Sequence, residues 1–299
     1  MVALLAVPAF LIRSPTPDWP AFYAGAKLAP EGSARLYSFA ASQAITGRFM
    51  DPAWVWAFVR PPVYATLLYP LGLLTPGAAF FAWQTLNLAA MVGAVLLLWR
   101  SPVAVIATLS CAPLWTSFKQ GQDMPLLALA AAGSIALLER KRTYLAGLVL
   151  ALCGIKFHLL LLIPVFLLAC RAWRVAAGLA SGTAALMVAC FALYGRGWIQ
   201  DYYRCVTENQ RHLKTTSLLA IVPTTWWWIT VSLFAVMLTA TLCRWAKTDA
   251  MALAASLAIG LAVAPRFYVY DLVLALPAVL VTLRWFLRPR VRSSCHMAL

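Results

Sequence analysis

Long apolar runs separated by short polar turns divide most of this chain, and the pattern predicts an all-helical, polytopic membrane protein. A helix needs roughly 20 apolar residues to cross a bilayer. A chain of 299 residues therefore accommodates about ten spans with short loops. Val2–Ile12 lacks a basic leader and a cleavage site, so we interpret it as a shortened first span and not as a signal peptide. The other predicted spans are 77–99, 102–118, 124–138, 143–155, 159–170, 175–194, 218–243, 251–264 and 272–286.

Composition and charge favour the same class. Hydrophobic residues make up 63% of the chain and charged residues 11%, which is far from the balance of a soluble domain. A net charge of +15 would suggest nucleic-acid binding in a soluble protein. Here the arginines and lysines form small groups between apolar runs, an arrangement that orients membrane proteins, so we expect no nucleic-acid partner. The seven cysteines are spread singly and indicate no disulfide or metal framework.

The charged groups also predict which loops share a side of the membrane. One side receives the basic groups, and the positive-inside rule makes that side cytoplasmic: Arg100, Arg140–Arg142, Arg171 with Arg174, Arg244 with Lys247, and the C-terminal arginines. Seven of the nine acidic residues fall on the opposite side. That side also receives the polar junctions at Asp18, 119–123, 156–158, 195–217 and 266–271. We therefore predict a multi-pass protein of the cell membrane whose site is extracytoplasmic.

The segment 13–76 contains many prolines and no clear crossing, so it is predicted to be the first extracytoplasmic segment. Within it, Ala21–Ala29 and Tyr37–Phe49 have helical spacing with an apolar and a polar face, which predicts helices on the membrane surface. We expect one integral membrane domain over 1–299, with a helical bundle at 77–287 and a cytoplasmic tail at 288–299.

Lys156 lies between two short apolar segments, and short segments of this kind indicate helices that stop within the membrane boundary. An ionisable residue at such a junction is a functional candidate. A lysine that snorkels to the surface is the alternative interpretation. His158, two residues further on, is more often a hydrogen-bonded structural histidine.

An outer-face cavity with one carboxylate at its mouth, several cations and many aromatic residues suits glycosyl transfer from a lipid-linked sugar. Aromatic faces stack on sugar rings, a lysine or arginine neutralises a lipid phosphate, and an aspartate accepts the proton of an acceptor hydroxyl. Asp18 lies just beyond the first predicted span and is the candidate base. A solvated loop residue and a helix cap are the alternatives for Asp18.

Several short motifs occur in order along the chain, and together they resemble glycosyltransferase family 87, the DUF2029 group of polytopic enzymes with the GT-C fold. The motifs are Asp18-x-x-x-x-Tyr23-Ala24-Gly25, Leu36-Tyr37, Phe58-x-Arg60-Pro61-Pro62, Leu67-Leu68-x-Pro70-Leu71, Gly121-Gln122, Gly154-Ile155-Lys156 and Tyr270-Asp271.

The resemblance implies an inverting, metal-independent transferase without a cofactor. It would move a sugar, mannose in the best-known branch, from a polyprenyl phosphate in the membrane lipid to a glycolipid or glycan acceptor. Asp18 corresponds to the catalytic base. Lys156 corresponds to a donor-phosphate residue, a role that we extend to Arg60 and Arg266. The remaining candidates for substrate contact are Tyr23, Gln122, Asp123, His158, Tyr268, Tyr270 and Asp271.

Simpler interpretations and two rival functions stay open at this point. Gln122 and Asp123 also suit the cap of a helix that begins at Met124, and residues 266–271 also suit an interfacial belt. A transporter or lipid flippase would also have charges at broken helices. A family member without catalysis is the third possibility, because many relatives have tyrosine at the position of Arg60 and a histidine near the position of Asp271.

Overall fold

A computed structural model describes residues 18–49, 57–210, 218, 224–265 and 267–287. The regular elements among these residues are all helical, which confirms the predicted class for that part of the chain. The predicted first span, the tail 288–299 and Arg266 lie outside the described residues.

The helices are numbered here in chain order. The described part of segment 13–76 contains α1 (Trp19–Leu28), α2 (Ser33–Leu36), α3 (Phe39–Thr46) and α4 (Pro62–Gly72). The following helices are α5 (Pro76–Leu98), α6 (Pro102–Leu109), α7 (Ala112–Gln120), α8 (Met124–Glu139), α9 (Thr143–Leu150), α10 (Ile163–Ala169), α11 (Trp173–Tyr194), α12 (Trp198–Gln210), α13 (Thr225–Trp245), α14 (Asp249–Ala262) and α15 (Leu276–Leu287). Two 3₁₀ helices, Ala151–Leu159 and Val269–Ala275, carry residues of the candidate site.

Within the described part of the chain, four helical stretches are long and apolar enough to cross a bilayer. They are α5, α11, α13 and the continuous stretch Val269–Leu287. The apolar helices Met124–Glu139, Thr143–Leu159 and Asp249–Ala262 are shorter. These stretches indicate a membrane protein, and the total of ten spans stays a prediction.

The predicted span over 102–118 is not one continuous helix, because α6 ends at Leu109 and α7 begins at Ala112. The hydroxyl of Ser110 donates back to the carbonyl of Ile106, and Cys111 is extended, with φ −81° and ψ 139°. Pro113 has no amide hydrogen with which to continue the helix, so the chain bends there. The bend lets α7 end in the turn that carries Gln122 and Asp123.

Segment 13–76 also differs from its prediction. Every residue of α1 except Lys27 is buried, so α1 is enclosed by protein and is not a membrane-surface helix. The reason is aromatic packing, since the Trp19 ring stacks on Trp83 of α5 at 5.8 Å between centroids. In α3, by contrast, Phe39 is 46% exposed while Ala41 is buried, which is the one-sided pattern of a surface helix.

The bundle is built from close helix pairs. Helix α1 packs on α4, α5 packs on α8, and α9 packs on α11. A β-carbon placed on Gly147 of α9 would lie 2.1 Å from the carbonyl oxygen of Val175, and one placed on Gly178 of α11 would lie 2.0 Å from that of Tyr144. The two backbones therefore touch, as in small-residue contacts between membrane helices.

At the end of the bundle away from Gln122, one arginine joins three helices. Arg284 of α15 donates to the carbonyl of Leu98 at the end of α5 and pairs with Glu139 at the end of α8.

We predict that Gly147→Ala lowers the thermal stability of the purified protein. The added methyl group has no space beside Val175, and overpacking of this kind typically costs about 1–3 kcal/mol. Gly77→Ala in α5 is the matched control, because nothing lies within 4 Å of its added β-carbon. Equal melting temperatures for the two variants in detergent would contradict the close α9–α11 contact.

Candidate active site

The turn between α7 and α8 places Gln122 beside the start of α1. Gly121 ends α7 in the left-handed conformation, with φ +67°, and the Gln122 amide donates to the Ser117 carbonyl at 2.9 Å. A β-carbon on Gly121 would lie 2.6 Å from that of Trp19, so only glycine allows both the conformation and the approach. The Trp83 indole donates to the Gly121 carbonyl at 2.9 Å and holds the turn in place.

Arg60 and Asp123 form a buried, bidentate ion pair. Arg60 Nε donates to Asp123 Oδ2 at 3.0 Å, and Arg60 Nη2 donates to Asp123 Oδ1 at 3.2 Å. The guanidinium also lies over the Phe22 ring, 5.3 Å from its centroid. Burial acts to raise the pKa of Asp123, but the charges of Arg60 and Lys156 outweigh burial and hold that pKa below its ordinary value. Asp123 is therefore ionised, and its side chain does not cap α8.

Lys156 pairs with Asp271 at a break in the helical path. The backbone leaves helical geometry at Lys156, with φ −119° and ψ 61°. Its ammonium donates to Asp271 Oδ1 at 3.1 Å and lies 3.7 Å from Asp123 Oδ1. Only 5% of Lys156 is exposed, so the snorkelling interpretation is wrong for Lys156. The other oxygen of Asp271 accepts from the Tyr268 amide at 2.9 Å.

Gln122 connects both cations to Asp18. Its Oε1 accepts from Lys156 Nζ at 3.0 Å and from Arg60 Nη2 at 3.5 Å. Its Nε2 donates to Asp18 Oδ2 at 2.7 Å. The Asp18 side chain does not cap α1 and is partly exposed. The helix-cap interpretation of Asp18 is therefore wrong, and the carboxylate is part of a buried polar cluster.

Burial controls the protonation of Asp18. Desolvation raises the pKa of Asp18 above its ordinary value, while the Gln122 hydrogen bond and the charges of Lys156 and Arg60 oppose that effect. An aspartate with a raised pKa is a better proton acceptor than an exposed one, as a general base requires.

These residues are called the Asp18 network below: Asp18, Arg60, Gln122, Asp123, Lys156 and Asp271. The network contains two cations and three carboxylates drawn from distant parts of the sequence. The Tyr268 and Tyr270 rings stack at 5.2 Å beside it, and the Tyr270 ring centroid is 5.0 Å from Lys156 Nζ. Both rings are half-buried. The arrangement offers a proton acceptor, two carboxylate-paired cations close to it and an aromatic surface next to it.

Two predicted site residues have other surroundings, and a third is not described. Tyr23 is buried, and its hydroxyl donates to the Leu74 carbonyl at 2.8 Å, so it stabilises the packing of α1. The His158 ring contacts Phe157 edge-on at 6.0 Å, two residues beyond Lys156. Arg266 lies outside the described residues, and its phosphate role stays a prediction.

Sequence reasoning missed two aromatic neighbours of the network. Tyr64 is buried near Asp123, and burial together with that carboxylate raises the pKa of Tyr64 well above its ordinary value. Phe22 lies under the Arg60 guanidinium. A signal was present for Phe22, because it follows Asp18 by four residues and so lies on the same face of α1. Tyr64 had no comparable signal beyond its closeness to Arg60 in sequence.

Comparison with known proteins agrees with the sequence motifs. The model for glycosyltransferase family 87 matches residues 58–277, nearly three quarters of the chain. The matched region contains every residue of the Asp18 network except Asp18, which precedes it. No curated protein and no solved structure matches the chain.

We predict that the Arg60–Asp123 pair contributes to stability as a unit. Asp123→Leu leaves the buried Arg60 guanidinium without a carboxylate partner, which typically costs about 3–5 kcal/mol. Arg60→Met leaves the buried Asp123 carboxylate with Lys156, 3.7 Å away, as its remaining cation, so its cost should be smaller. The double variant leaves neither charge, so it should lose much less than the sum of the single losses. Thermal unfolding of all four proteins in one detergent measures this coupling, and strictly additive losses would contradict it.

Proposed function

Because the chain belongs to glycosyltransferase family 87, we propose that this membrane glycosyltransferase moves a hexose, such as mannose, from a polyprenyl phosphate to an extracytoplasmic acceptor. Asp18 is the proposed general base. Family membership supports the transferase activity. The observation that carries the mechanism is the Asp18 carboxylate, partly exposed and held by Gln122 above the buried cations.

In the proposed reaction, the acceptor hydroxyl attacks the anomeric carbon from the face opposite the phosphate. A new bond forms between the acceptor oxygen and that carbon while the bond from the carbon to the phosphate oxygen breaks. Polyprenyl phosphate leaves with the bonding electrons, and the configuration at the carbon inverts. Gln122 Nε2 already donates a hydrogen bond to Asp18 Oδ2, so we assign the proton of the acceptor hydroxyl to Asp18 Oδ1. Phosphate is a good leaving group, so the reaction as proposed needs no metal ion.

The donor phosphate is proposed to lie near Arg60 and Lys156, with Arg266 as a further candidate. Both described cations are already bonded to carboxylates. Because these partners largely neutralise both cations, we propose that the phosphate binds by direct contact with a cation, in exchange for one carboxylate partner. Exchange of this kind would link donor binding to the position of Gln122, since both cations also donate to its Oε1.

The sugar is proposed to lie against Tyr268 and Tyr270. Stacked, half-buried rings next to a carboxylate suit a pyranose, which has an apolar face and a rim of hydroxyl groups. The polyprenyl tail would lie among the lipid-facing helices. The transporter interpretation also accommodates the broken helix at Lys156, but family membership favours transfer chemistry.

We predict that Asp18→Asn abolishes transfer of the sugar from polyprenyl-phosphate mannose or a related donor. The amide keeps the size of the side chain but cannot accept a proton, so turnover should fall by about 100-fold or more. Radiolabel transfer by membranes with matched expression measures this. Glu31→Gln is the control, because Glu31 is an exposed carboxylate on the same outer segment, paired with Arg35. Unchanged turnover in Asp18→Asn would remove Asp18 from the mechanism.

We also predict the pH dependence of transfer. The base acts only when deprotonated, so kcat/KM should fall as the pH drops through the pKa of Asp18. Because burial raises that pKa, the fall should occur above the ordinary aspartate value of 3.8. The residual rate of Asp18→Asn should not show this fall. A wild-type profile that stays flat down to pH 3.8 would show that Asp18 is not the titrating base.

A further inference from the structure

We propose that Gln122 is the positioning residue of the catalytic base, and that it holds one oxygen of Asp18 so that the other faces the acceptor hydroxyl. This role differs from the substrate contact expected from the sequence. It rests on the proposed function, in which Asp18 is the base.

The orientation of the Gln122 amide is fixed by its neighbours. Lysine and arginine side chains can only donate hydrogen bonds, so the end of the amide that faces Lys156 and Arg60 must be the oxygen. An ionised carboxylate can only accept, so the end that faces Asp18 must be the nitrogen. The observed contacts at 3.0, 3.5 and 2.7 Å satisfy both requirements.

Gln122 is also inaccessible and doubly anchored. Only 5% of it is exposed, which leaves little surface for a sugar. Its backbone is fixed by the left-handed Gly121 turn against Trp19, and its side chain is fixed by the two cations. A rigid amide of this kind orients the carboxylate before substrate arrives, and misplacement of a reacting group by about 1 Å can cost 100-fold in rate.

The charged and titratable groups around Asp18 come from several elements. Lys156 approaches from the 3₁₀ helix Ala151–Leu159, Arg60 from the segment before α4, and Asp123 from the turn before α8. Tyr270 approaches from the 3₁₀ helix Val269–Ala275. A substitution at Gln122 keeps all four groups, so a change in the titration of Asp18 reports the loss of the Gln122 hydrogen bond.

The kinetic test uses Gln122→Glu, which has nearly the same shape. The new carboxylate keeps an oxygen for Lys156 and Arg60 but replaces the N–H that faces Asp18 with a second acceptor. We expect kcat to fall about ten- to 100-fold with the KM for polyprenyl-phosphate mannose little changed. Gln84→Leu is the matched control. Gln84 Nε2 donates to the Phe118 carbonyl of α7 at 2.7 Å, so this variant loses an amide hydrogen bond near the same turn but changes no residue of the Asp18 network. Wild-type kcat in Gln122→Glu, or a rise in KM alone, would overturn the proposal.

The second test does not depend on activity. Infrared difference spectroscopy follows protonation of the Asp18 carboxyl group against pH in purified protein, with Asp18→Asn identifying its band. In Gln122→Met, which adds no titratable group, loss of the hydrogen bond to the ionised form should move protonation to higher pH. Gln84→Leu should titrate like the wild type. An unchanged titration in Gln122→Met would overturn the proposal even if folding or turnover were altered.

The two tests separate this inference from the proposed function. If the wild type transfers no sugar but the Asp18 titration moves in Gln122→Met, then Gln122 positions Asp18 and the proposed reaction is wrong. If the wild type transfers sugar and Gln122→Glu matches it, then the reaction stands and the positioning role is wrong.

Discussion

Burial of charge in a medium of low dielectric constant is the constraint on which this structure depends. An isolated charge inside a membrane protein is costly, so Arg60 and Lys156 are stable only because Asp123 and Asp271 lie against them. These partners are separated by 63 and 115 positions in sequence. Their pairing therefore brings together the segment before α4, the turn before α8, the break at Lys156 and the 3₁₀ helix Val269–Ala275.

The pairing has a chemical consequence at Asp18. Two cations that were free would strongly lower the pKa of a nearby carboxylate, but here each is largely neutralised by its own partner. Burial then dominates, and the pKa of Asp18 is raised. The paired cations hold the Gln122 side chain, and Gln122 in turn holds Asp18 by a hydrogen bond. As a neutral amide, Gln122 adds no charge beside the base. The same contacts thus support the fold and prepare the proposed base.

Much of the secondary structure was predictable, because apolar runs such as those of α5 and α11 carry a strong signal on their own. The break at Lys156 was also predictable from the shortness of its flanking segments. The pairs of the Asp18 network were not, since each joins residues that only tertiary packing brings together. Two predicted elements differ from the structure for separate reasons. The amphipathic spacing of α1 does not reveal that Trp83 covers it, and mean hydropathy over 102–118 conceals the effect of Pro113. The family motifs contain five of the six network residues, and Asp123 was a further candidate beside Gln122, but none of this revealed their contacts.

We propose that the Asp18 network forms the reaction site for a lipid-linked sugar. The most direct measurement is an experimental structure of the wild-type protein with a non-transferable polyprenyl-phosphate sugar bound. We expect the anomeric carbon beside Asp18, with room for an acceptor hydroxyl between that carbon and Oδ1, and the Gln122–Asp18 hydrogen bond intact. A sugar bound away from Asp18, with the network closed off from the donor, would contradict this role of the network.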